Sequence, residues 1–211
     1  MRFPLLSFVH TKEICDTYLH PEEQRYLAAA TDKRRIEFST VRYCVEKALH
    51  SYELKRPPMV PDDCGAPQWP KGIVGSMTHR VGYCAAVVAP RCLVPAIGVD
   101  AEVNASLPVR VTDKVALKTE KRLVSELRTE RPNVAFDRLL FSIKESVYKA
   151  WFPLKRRRIA FRDILVEIDS NGTFCSHLLS SGSPWLLFRG VWFSLDDIIV
   201  TMAVGDYKRV I

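Results

Sequence analysis

The Asn-Gly pair at residues 171–172 places the strongest constraint on how this chain folds. It separates FRDILVEID (161–169) from TFCSHLL (173–179), and such a pair between two runs rich in apolar residues is typical of a tight hairpin turn. Two more runs of the same kind follow, WLLFRGVWFSL (185–195) and DDIIVTMAVG (196–205). The chain from residue 160 onward is therefore predicted to form antiparallel strands.

Helical patterns dominate several earlier segments. Residues 21–53 are predicted to be helical with a break near Thr31, because Pro21 suits a first helical turn and apolar residues recur at helical spacing after the break. Two more helices are predicted, over roughly 112–130 and over 135–152, the second ended by Pro153.

The segment PPMVPDDCGAPQWP (57–70) contains five of the 13 prolines and is predicted to be a loop or crossing segment. Around and after it, GIVGSMTH, YCAAVVAP and LVPAIGVDAE are typical of short strands joined by turns. Helices and strands in both halves predict an α+β protein with two lobes that meet near residue 95. We take these lobes as 1–95 and 96–211.

Composition narrows the classes of partner. The 211 residues are 47% hydrophobic, and 31 Lys and Arg against 24 Asp and Glu give a net charge of +7, which favours anionic partners. The six cysteines are scattered without metal-binding spacing, which indicates reduced thiols in a cytoplasmic protein. No stretch approaches the roughly 20 apolar residues of a spanning helix, so no membrane association is expected.

The motif IGVDAE (97–102) is the first indication of chemistry. In a strand, the side chains of Asp100 and Glu102 point to the same face, where two like charges repel each other. A divalent cation such as Mg²⁺, which prefers carboxylate, phosphate and water oxygens, relieves this repulsion. The alternative is a solvated strand edge with two independent carboxylates.

The segment FSIKESVYKAWF (141–152) combines charged residues with an apolar helix. At 100° per residue, Glu145 and Lys149 fall opposite the aliphatic stripe, flanked by three aromatic residues: Phe141, Tyr148 and Phe152. This pattern predicts a partly desolvated site for the two charges, where an unpaired charge is costly. The alternative is an ordinary stabilising pair of residues i and i+4 on an exposed helix face.

Phosphate binding is the predicted role of two other segments. GSMTHRVGY (75–83) is expected to hold Ser76, Thr78 and His79 in a glycine-bounded turn that offers backbone N–H groups, hydroxyls and an imidazole. A histidine with only a structural hydrogen bond is the alternative. The basic residues Arg34 and Arg42 border the apolar stripe of their helix, and there the alternative is a solvated basic face.

Three segments in this order, GSMTHRVGY, IGVDAE and FSIKESVYKAWFPL, resemble the 4′-phosphopantetheinyl transferase superfamily, in the bacterial branch that includes the surfactin and enterobactin types. The last segment is the most specific, since it is similar to the K-E-x-x-x-K signature of the family. LHPEE and KRRIEFSTVR upstream also resemble that branch, so the resemblance covers roughly residues 19–154.

The resemblance implies a fold and a reaction. The fold is a pair of similar α+β lobes related by a pseudo-twofold axis, with the active site in the cleft between them and the coenzyme A bound there. The N-terminal lobe supplies phosphate contacts, and the C-terminal lobe supplies the metal site and the catalytic helix. The reaction moves 4′-phosphopantetheine from coenzyme A to a serine of an apo acyl or peptidyl carrier protein and releases 3′,5′-adenosine bisphosphate.

Carried over residue by residue, the resemblance implies that Asp100, Glu102 and Glu145 are Mg²⁺ ligands and that Lys149 contacts the phosphates. It implies that the nucleotide phosphates are held by basic and polar residues of the N-terminal lobe: Arg34, Arg42, Ser76, Thr78 and His79. Glu145 is also the expected base for the serine proton, so the catalytic pair is Glu145 and Lys149. A monomer is expected, and the served pathway is polyketide, nonribosomal-peptide, siderophore or fatty-acid synthesis.

One segment departs from the family pattern. Relatives often carry a basic residue just before the G-x-P-x-W-P segment, whereas this chain has Asp62, Asp63 and Cys64 there. The coenzyme A site is therefore expected to be arranged differently at this point, with Lys71 as a substitute.

Two other classes of function are compatible with a basic protein of this kind. A metal-dependent nuclease also gathers Asp, Glu and Lys around Mg²⁺, but its lysine commonly follows the acidic residue by two positions on a strand, whereas Lys149 follows Glu145 by four on a helix. A noncatalytic module that binds nucleic acid or carriers is the second class. Such a module has no need of Asp100, Glu102 and Glu145 together, so nucleic acid is not an expected partner.

Overall fold

The structure is a computed structural model that describes residues 6–15, 17–80, 82–179 and 187–206. The chain divides into two compact units, Met1–Val94 and Pro95–Ile211. Each unit contains one antiparallel sheet with a long helix packed against it. The predicted α+β class is confirmed.

The first unit contains a three-stranded sheet and two helices. The sheet has the order β1-β3-β2, with β1 at Ser7–Thr11, β2 at Ile73–Arg80 and β3 at Tyr83–Pro90. The helices are α1 at Pro21–Tyr26 and α2 at Asp32–His50. The core forms where apolar residues of α2 meet those of the sheet, among them Val41, Val45, Leu49, Ala86 and Val88.

The predicted break in the first helical segment is confirmed. Thr31 precedes α2 as its N-cap, and its hydroxyl accepts a hydrogen bond from the Arg34 N–H at 3.3 Å. Strand β1 was not predicted. Its only strand partner among the described residues is β3, more than 70 positions later, so no local turn signals it.

The second unit contains a five-stranded sheet with the order β4-β8-β7-β6-β5. Its strands are β4 at Ile97–Val103, β5 at Ile164–Asp169, β6 at Thr173–Leu178, β7 at Leu187–Leu195 and β8 at Ile198–Asp206. The hairpin predicted at Asn171-Gly172 is confirmed, since β5 and β6 pair there and Gly172 has φ 98°. Trp185 and Leu186, at the start of the predicted third strand, lie outside the described residues.

Among the described residues of this unit, three α-helices accompany the sheet: α3 at Val109–Val115, α4 at Lys118–Glu130 and α5 at Phe136–Lys155. The prediction of one helix over 112–130 is wrong, because the chain is extended at Ala116 and Leu117 and the Glu120 carboxylate caps the Leu117 N–H at 2.7 Å. The prediction that Pro153 ends α5 is also wrong.

Proline removes one N–H donor, and in the last turn of α5 that loss is small. The helix ends only after Lys155, where Arg156 adopts a left-handed conformation with φ 51° and donates its N–H to the Phe152 carbonyl at 2.8 Å.

All six cysteines are free thiols. In the part of the chain that the structure describes, no helix has both the length and the apolar character needed to cross a membrane.

Candidate active site

Strand β4 and helix α5 approach each other unusually closely at Gly98. A Cβ atom on Gly98 would overlap the Ser146 carbonyl oxygen and would lie 2.8 Å from the Ala150 backbone nitrogen. Because side chains alternate along a strand, Asp100 and Glu102 share the α5-facing side of β4 with Gly98. The glycine therefore brings the acidic strand motif into contact with the charged residues of the helix.

Asp100 is the centre of this contact. Its side chain is buried, and one carboxylate oxygen accepts a hydrogen bond from Lys149 Nζ at 2.7 Å while the other accepts one from Ser142 Oγ at 2.9 Å. Lys149 Nζ also donates to the Val99 carbonyl at 3.1 Å. The structure thus brings together one predicted metal ligand and the lysine predicted to contact phosphates.

Glu145 belongs to the same electrostatic environment. Burial raises its pKa, and the negative charges of Asp100 and Glu102 raise it further, against the opposing effect of Lys149. Glu145 therefore lies close enough to Asp100 and Glu102 to be affected by their negative charges. A bound cation would relieve this repulsion and stabilise the ionised form of Glu145.

Glu102 has a partner that sequence reasoning missed. Arg138 donates from Nη1 to Glu102 Oε2 at 3.0 Å and from Nε to the Ala105 carbonyl at 3.0 Å. A signal was available, because Arg138 precedes Glu145 by seven residues and so lies on the same face of α5. The helix presents a cation at each end of the acidic cluster, Arg138 and Lys149.

Metal ligation is not preformed around these carboxylates. Within residues 6–15, 17–80, 82–179 and 187–206, no group of three or more His, Cys, Asp or Glu side chains is arranged to hold a metal ion. Asp100 and Glu102 instead face the ammonium of Lys149 and the guanidinium of Arg138. The donor atoms themselves are carboxylate oxygens, the ligands that Mg²⁺ prefers.

The first lysine of the K-E-x-x-x-K segment, Lys144, has a different environment from Lys149. It is fully buried, and its ammonium donates to the Glu120 carboxylate at 2.7 Å, to the Val115 carbonyl at 2.9 Å and to the Phe161 carbonyl at 2.9 Å. Burial lowers the pKa of Lys144, and the hydrogen bond to Glu120 opposes that effect. Lys144 therefore joins α5 to α3, to α4 and to the segment after α5.

Lys144→Met is expected to destabilise the protein by about 3–5 kcal/mol, because it leaves the Glu120 carboxylate buried without its cation. The midpoint of thermal unfolding should fall by about 10 °C, measured by circular dichroism. Glu120→Gln in the same background should restore part of the loss. Lys121→Met is the matched control, since Lys121 pairs with Asp113 at an exposed position. Equal midpoints of thermal unfolding for Lys144→Met and Lys121→Met would contradict the structural role of Lys144.

In the first unit, the structure places Arg34 beside His79. Their side-chain nitrogens Nη1 and Nε2 lie 3.4 Å apart, and His79 Nε2 also lies 3.5 Å from the Glu37 carboxylate. Both side chains lie at the surface, on α2 and β2. They form the accessible part of the predicted phosphate-binding set.

Arg42 is buried instead of exposed. Its guanidinium donates to the Met59 carbonyl at 2.6 Å, lies 3.5 Å above the centre of the Phe38 ring and 3.7 Å from Glu23 Oε1. Burial lowers the pKa of Arg42 to about 10. Glu23 also pairs with Arg56 at 2.5 Å, so two guanidinium groups share one buried carboxylate, an arrangement that sequence reasoning missed.

The predicted glycine-bounded turn around Ser76, Thr78 and His79 is wrong. All three residues lie in strand β2, which pairs with β3 along its whole length, so they belong to a regular strand and not to a turn. Side-chain alternation places the buried Ser76 and Thr78 on the face of the strand opposite His79. Gly75 makes room for the ring of Trp69, which would lie 2.7 Å from a Cβ there.

The segment that departs from the family pattern is an ordered turn. The Asp62 side chain accepts hydrogen bonds from the Cys64 N–H at 3.0 Å and the Ala66 N–H at 2.9 Å. Asp62 therefore stabilises the turn, and nearby Lys71 is exposed.

Comparison with known proteins gives a consistent result. The profile of the 4'-phosphopantetheinyl transferase N-terminal domain matches residues 22–89, and that of the 4'-phosphopantetheinyl transferase superfamily matches residues 96–203. The chain is 42% identical over 190 residues to the 4'-phosphopantetheinyl transferase Svp of Streptomyces mobaraensis, across 87% of this chain and 77% of Svp.

Two other relatives are similarly close. The 4'-phosphopantetheinyl transferase Npt of Nocardia iowensis is 41% identical over 202 residues, across 88% of this chain and 89% of Npt. The 4'-phosphopantetheinyl transferase PptT of Mycobacterium tuberculosis is 40% identical over 194 residues, across 87% of this chain and 85% of PptT. A crystal structure of Thermotoga maritima holo-[acyl-carrier-protein] synthase aligns with a TM-score of 0.42 and 19% identity, over 55% of this chain and 65% of that one.

The chain therefore belongs to the 4′-phosphopantetheinyl transferase superfamily. The family predicted from the three sequence segments is confirmed, and so is the prediction that the chain is an enzyme of this class.

Proposed function

We propose that this protein transfers 4′-phosphopantetheine from coenzyme A to a serine hydroxyl of an apo acyl or peptidyl carrier protein, with Mg²⁺, and releases 3′,5′-adenosine bisphosphate. The observation that carries the proposal is the contact between β4 and α5, where the ion pair of Asp100 with Lys149 lies in the electrostatic field of Glu145. Phosphoryl transfer depends mainly on positioning and charge neutralisation, and these residues supply both.

Each side chain then has a role in the chemistry. The serine oxygen forms a bond to the pantetheine-side phosphorus, the bridging P–O bond of the diphosphate breaks, and its electron pair leaves with the adenosine bisphosphate. Glu145 accepts the serine proton, directly or through water. Lys149 places a positive charge beside the phosphates, held in position by Asp100 and the Val99 carbonyl.

The donor atoms of the acidic cluster fit a Mg²⁺ ion, because they are carboxylate oxygens. Asp100, Glu102 and Glu145 would hold it: burial and then the charges of Asp100 and Glu102 raise the pKa of Glu145, and a divalent cation would relieve that repulsion. When bound, Mg²⁺ neutralises charge on the diphosphate. Asp100 and Glu102 also pair with Lys149 and Arg138, so the ion would share these two carboxylates with cationic side chains.

The nucleotide phosphates are proposed to bind in the Met1–Val94 unit at Arg34 and His79, with Arg42 adding positive charge from beneath. Arg34 and Arg42 both approach the Phe38 ring, at 5.9 Å and 3.5 Å. Burial is the main cause that lowers the pKa of Arg42, and the charges of Arg56 and Arg34 lower it further. Guanidinium groups bind phosphates through charge-assisted hydrogen bonds, which supports phosphate binding at Arg34. We propose a monomeric, cytoplasmic enzyme as the working form.

Incubation with Mg²⁺, coenzyme A and an apo carrier protein should add one phosphopantetheine group to the carrier, detected by intact mass spectrometry. Omission of coenzyme A, addition of EDTA, and replacement of the carrier's acceptor serine by alanine should each abolish the added mass. Unchanged mass on several competent apo carriers, with the enzyme shown to be folded, would refute the proposed transfer. Cleavage of DNA or RNA by the same preparation would instead favour the nuclease alternative.

A further inference from the structure

A dense group of basic residues follows helix α5. Residues 155–162 contain five cationic side chains, and all five are exposed: Lys155, Arg156, Arg157, Arg158 and Arg162. We call these five residues the basic turn. The nearest carboxylate in sequence, Asp163, is directed back to the chain, where its side chain accepts a hydrogen bond from the Ala160 N–H at 3.2 Å.

The backbone of the basic turn is fixed to the catalytic helix at several points. The indole nitrogen of Trp151 donates to the Arg157 carbonyl at 2.9 Å, and the Arg156 N–H donates to the Phe152 carbonyl at 2.8 Å. Lys144, the neighbour of Glu145 in sequence, donates to the Phe161 carbonyl at 2.9 Å. The charges therefore have a defined position relative to the helix that carries Glu145 and Lys149.

Helix geometry relates that position to the active site. Lys155, the last residue of α5, follows Glu145 by ten residues and so lies about 15 Å further along the helix axis, and the other basic residues continue from it. A compact domain of about 100 residues has a radius of gyration of about 13 Å. A carrier domain that presents its serine at Glu145 is therefore wide enough to reach the basic turn.

We propose that the basic turn is a docking surface for an acidic face of the carrier protein, an inference that rests on the proposed function. Four of its five cations are arginines, whose planar guanidinium groups bind carboxylates through paired hydrogen bonds. Exposed charges at the rim of an interface mainly accelerate and orient association. The basic turn would thus select acidic carriers and direct the acceptor serine toward Glu145.

The charge pattern favours a macromolecular partner over coenzyme A. The phosphates of coenzyme A need charges at the reacting centre, and Lys149 supplies one there, whereas the basic turn begins beyond that point and spreads over exposed side chains. Binding of coenzyme A at the basic turn is the alternative, and the KM for coenzyme A distinguishes it from binding of the carrier.

The test uses the full chain with Arg156, Arg157 and Arg158 all replaced by glutamine. The control variant replaces three exposed cations of the other unit by glutamine, Lys47, Lys55 and Arg91, and so has the same net charge. Binding of a fluorescently labelled, acidic apo acyl carrier protein is measured by anisotropy without coenzyme A. Transfer rates are measured with the same carrier.

We expect the basic-turn variant to raise the carrier Kd and KM about tenfold and to flatten their salt dependence, with kcat and the KM for coenzyme A unchanged. The control variant should bind like the wild type. Equal carrier Kd values for both variants, or no carrier binding by the wild type, would overturn the inference. A raised KM for coenzyme A alone would overturn it too and assign the turn to the nucleotide. A wild-type protein that binds the carrier through the turn but adds no mass refutes only the proposed transfer.

Discussion

Glu145→Gln will lower kcat for phosphopantetheinyl transfer by about 10³-fold or more and leave the protein folded. The substitution keeps the shape of the side chain but removes the proposed proton acceptor and a negative charge proposed to bind Mg²⁺. The free energy of unfolding of this variant should equal that of the wild type or be slightly higher. Burial and the charges of Asp100 and Glu102 raise the pKa of Glu145, so its ionised form is disfavoured in the folded chain and a neutral amide removes that cost at pH 7.

The matched control is Glu126→Gln, the same chemical change at an exposed position of α4, where Glu126 pairs with Arg122. Its kcat and unfolding midpoint should equal those of the wild type. The measurement is the initial rate of mass addition to an apo carrier, with circular dichroism as the check on folding. A wild-type rate in Glu145→Gln would remove this carboxylate from the mechanism.

Gly98→Ala will lower kcat/KM by about 10²-fold or more and also destabilise the protein by several kcal/mol. A Cβ atom here meets backbone atoms of α5, the Ser146 carbonyl and the Ala150 nitrogen, which cannot turn away as a side chain can. The helix must therefore move away from β4. A displacement of about 1 Å is enough to cost about 10²-fold in rate, because it separates Glu145 and Lys149 from Asp100.

Gly190→Ala separates this effect from general overpacking. A Cβ on Gly190, in β7, would overlap the Phe174 ring and the Met202 carbonyl, so a comparable loss of stability is expected. The β4–α5 contact does not involve Gly190, so kcat/KM measured well below the unfolding midpoint should stay within about threefold of the wild type. If the two variants lose stability equally and retain equal activity, the close approach at Gly98 does not position the site.

Local features of this fold were predictable from the sequence, and long-range features were not. The hairpin at Asn171-Gly172 and the helix break at Thr31 depend on turn and capping preferences of a few neighbouring residues. Strand β1 depends on pairing with distant β3, and nothing within Ser7–Thr11 reveals that partner.

The candidate site also combines predictable and unpredictable features. The strand alternation that aligns Asp100 with Glu102 and the helical spacing of Glu145 and Lys149 are visible in the sequence. The side chains that pair with these residues could not be predicted from it. Arg138 reaches Glu102 across 36 positions only because Gly98 lets the helix approach the strand.

The predicted turn at Gly75 is wrong for a related reason. Glycine is common in turns, but Gly75 accommodates the Trp69 ring within a regular strand. The role of such a glycine depends on what packs against it, and that contact is not encoded by its immediate neighbours.

The adjacent residues Lys144 and Glu145 meet opposite demands, since Lys144 lies inside the core and Glu145 lies at the proposed active site. Successive helical residues differ by about 100°, so a single deleted residue between Phe136 and Lys144 would move Glu145 into the environment of Lys144 and place a carboxylate against Glu120. A single inserted residue would instead move Lys144 into the environment of Glu145 and leave Glu120 without its cation. Either change would withdraw Glu145 from Asp100. The number of residues between Phe136 and Lys144 therefore cannot change, and tolerated insertions in the second unit should fall outside this part of α5.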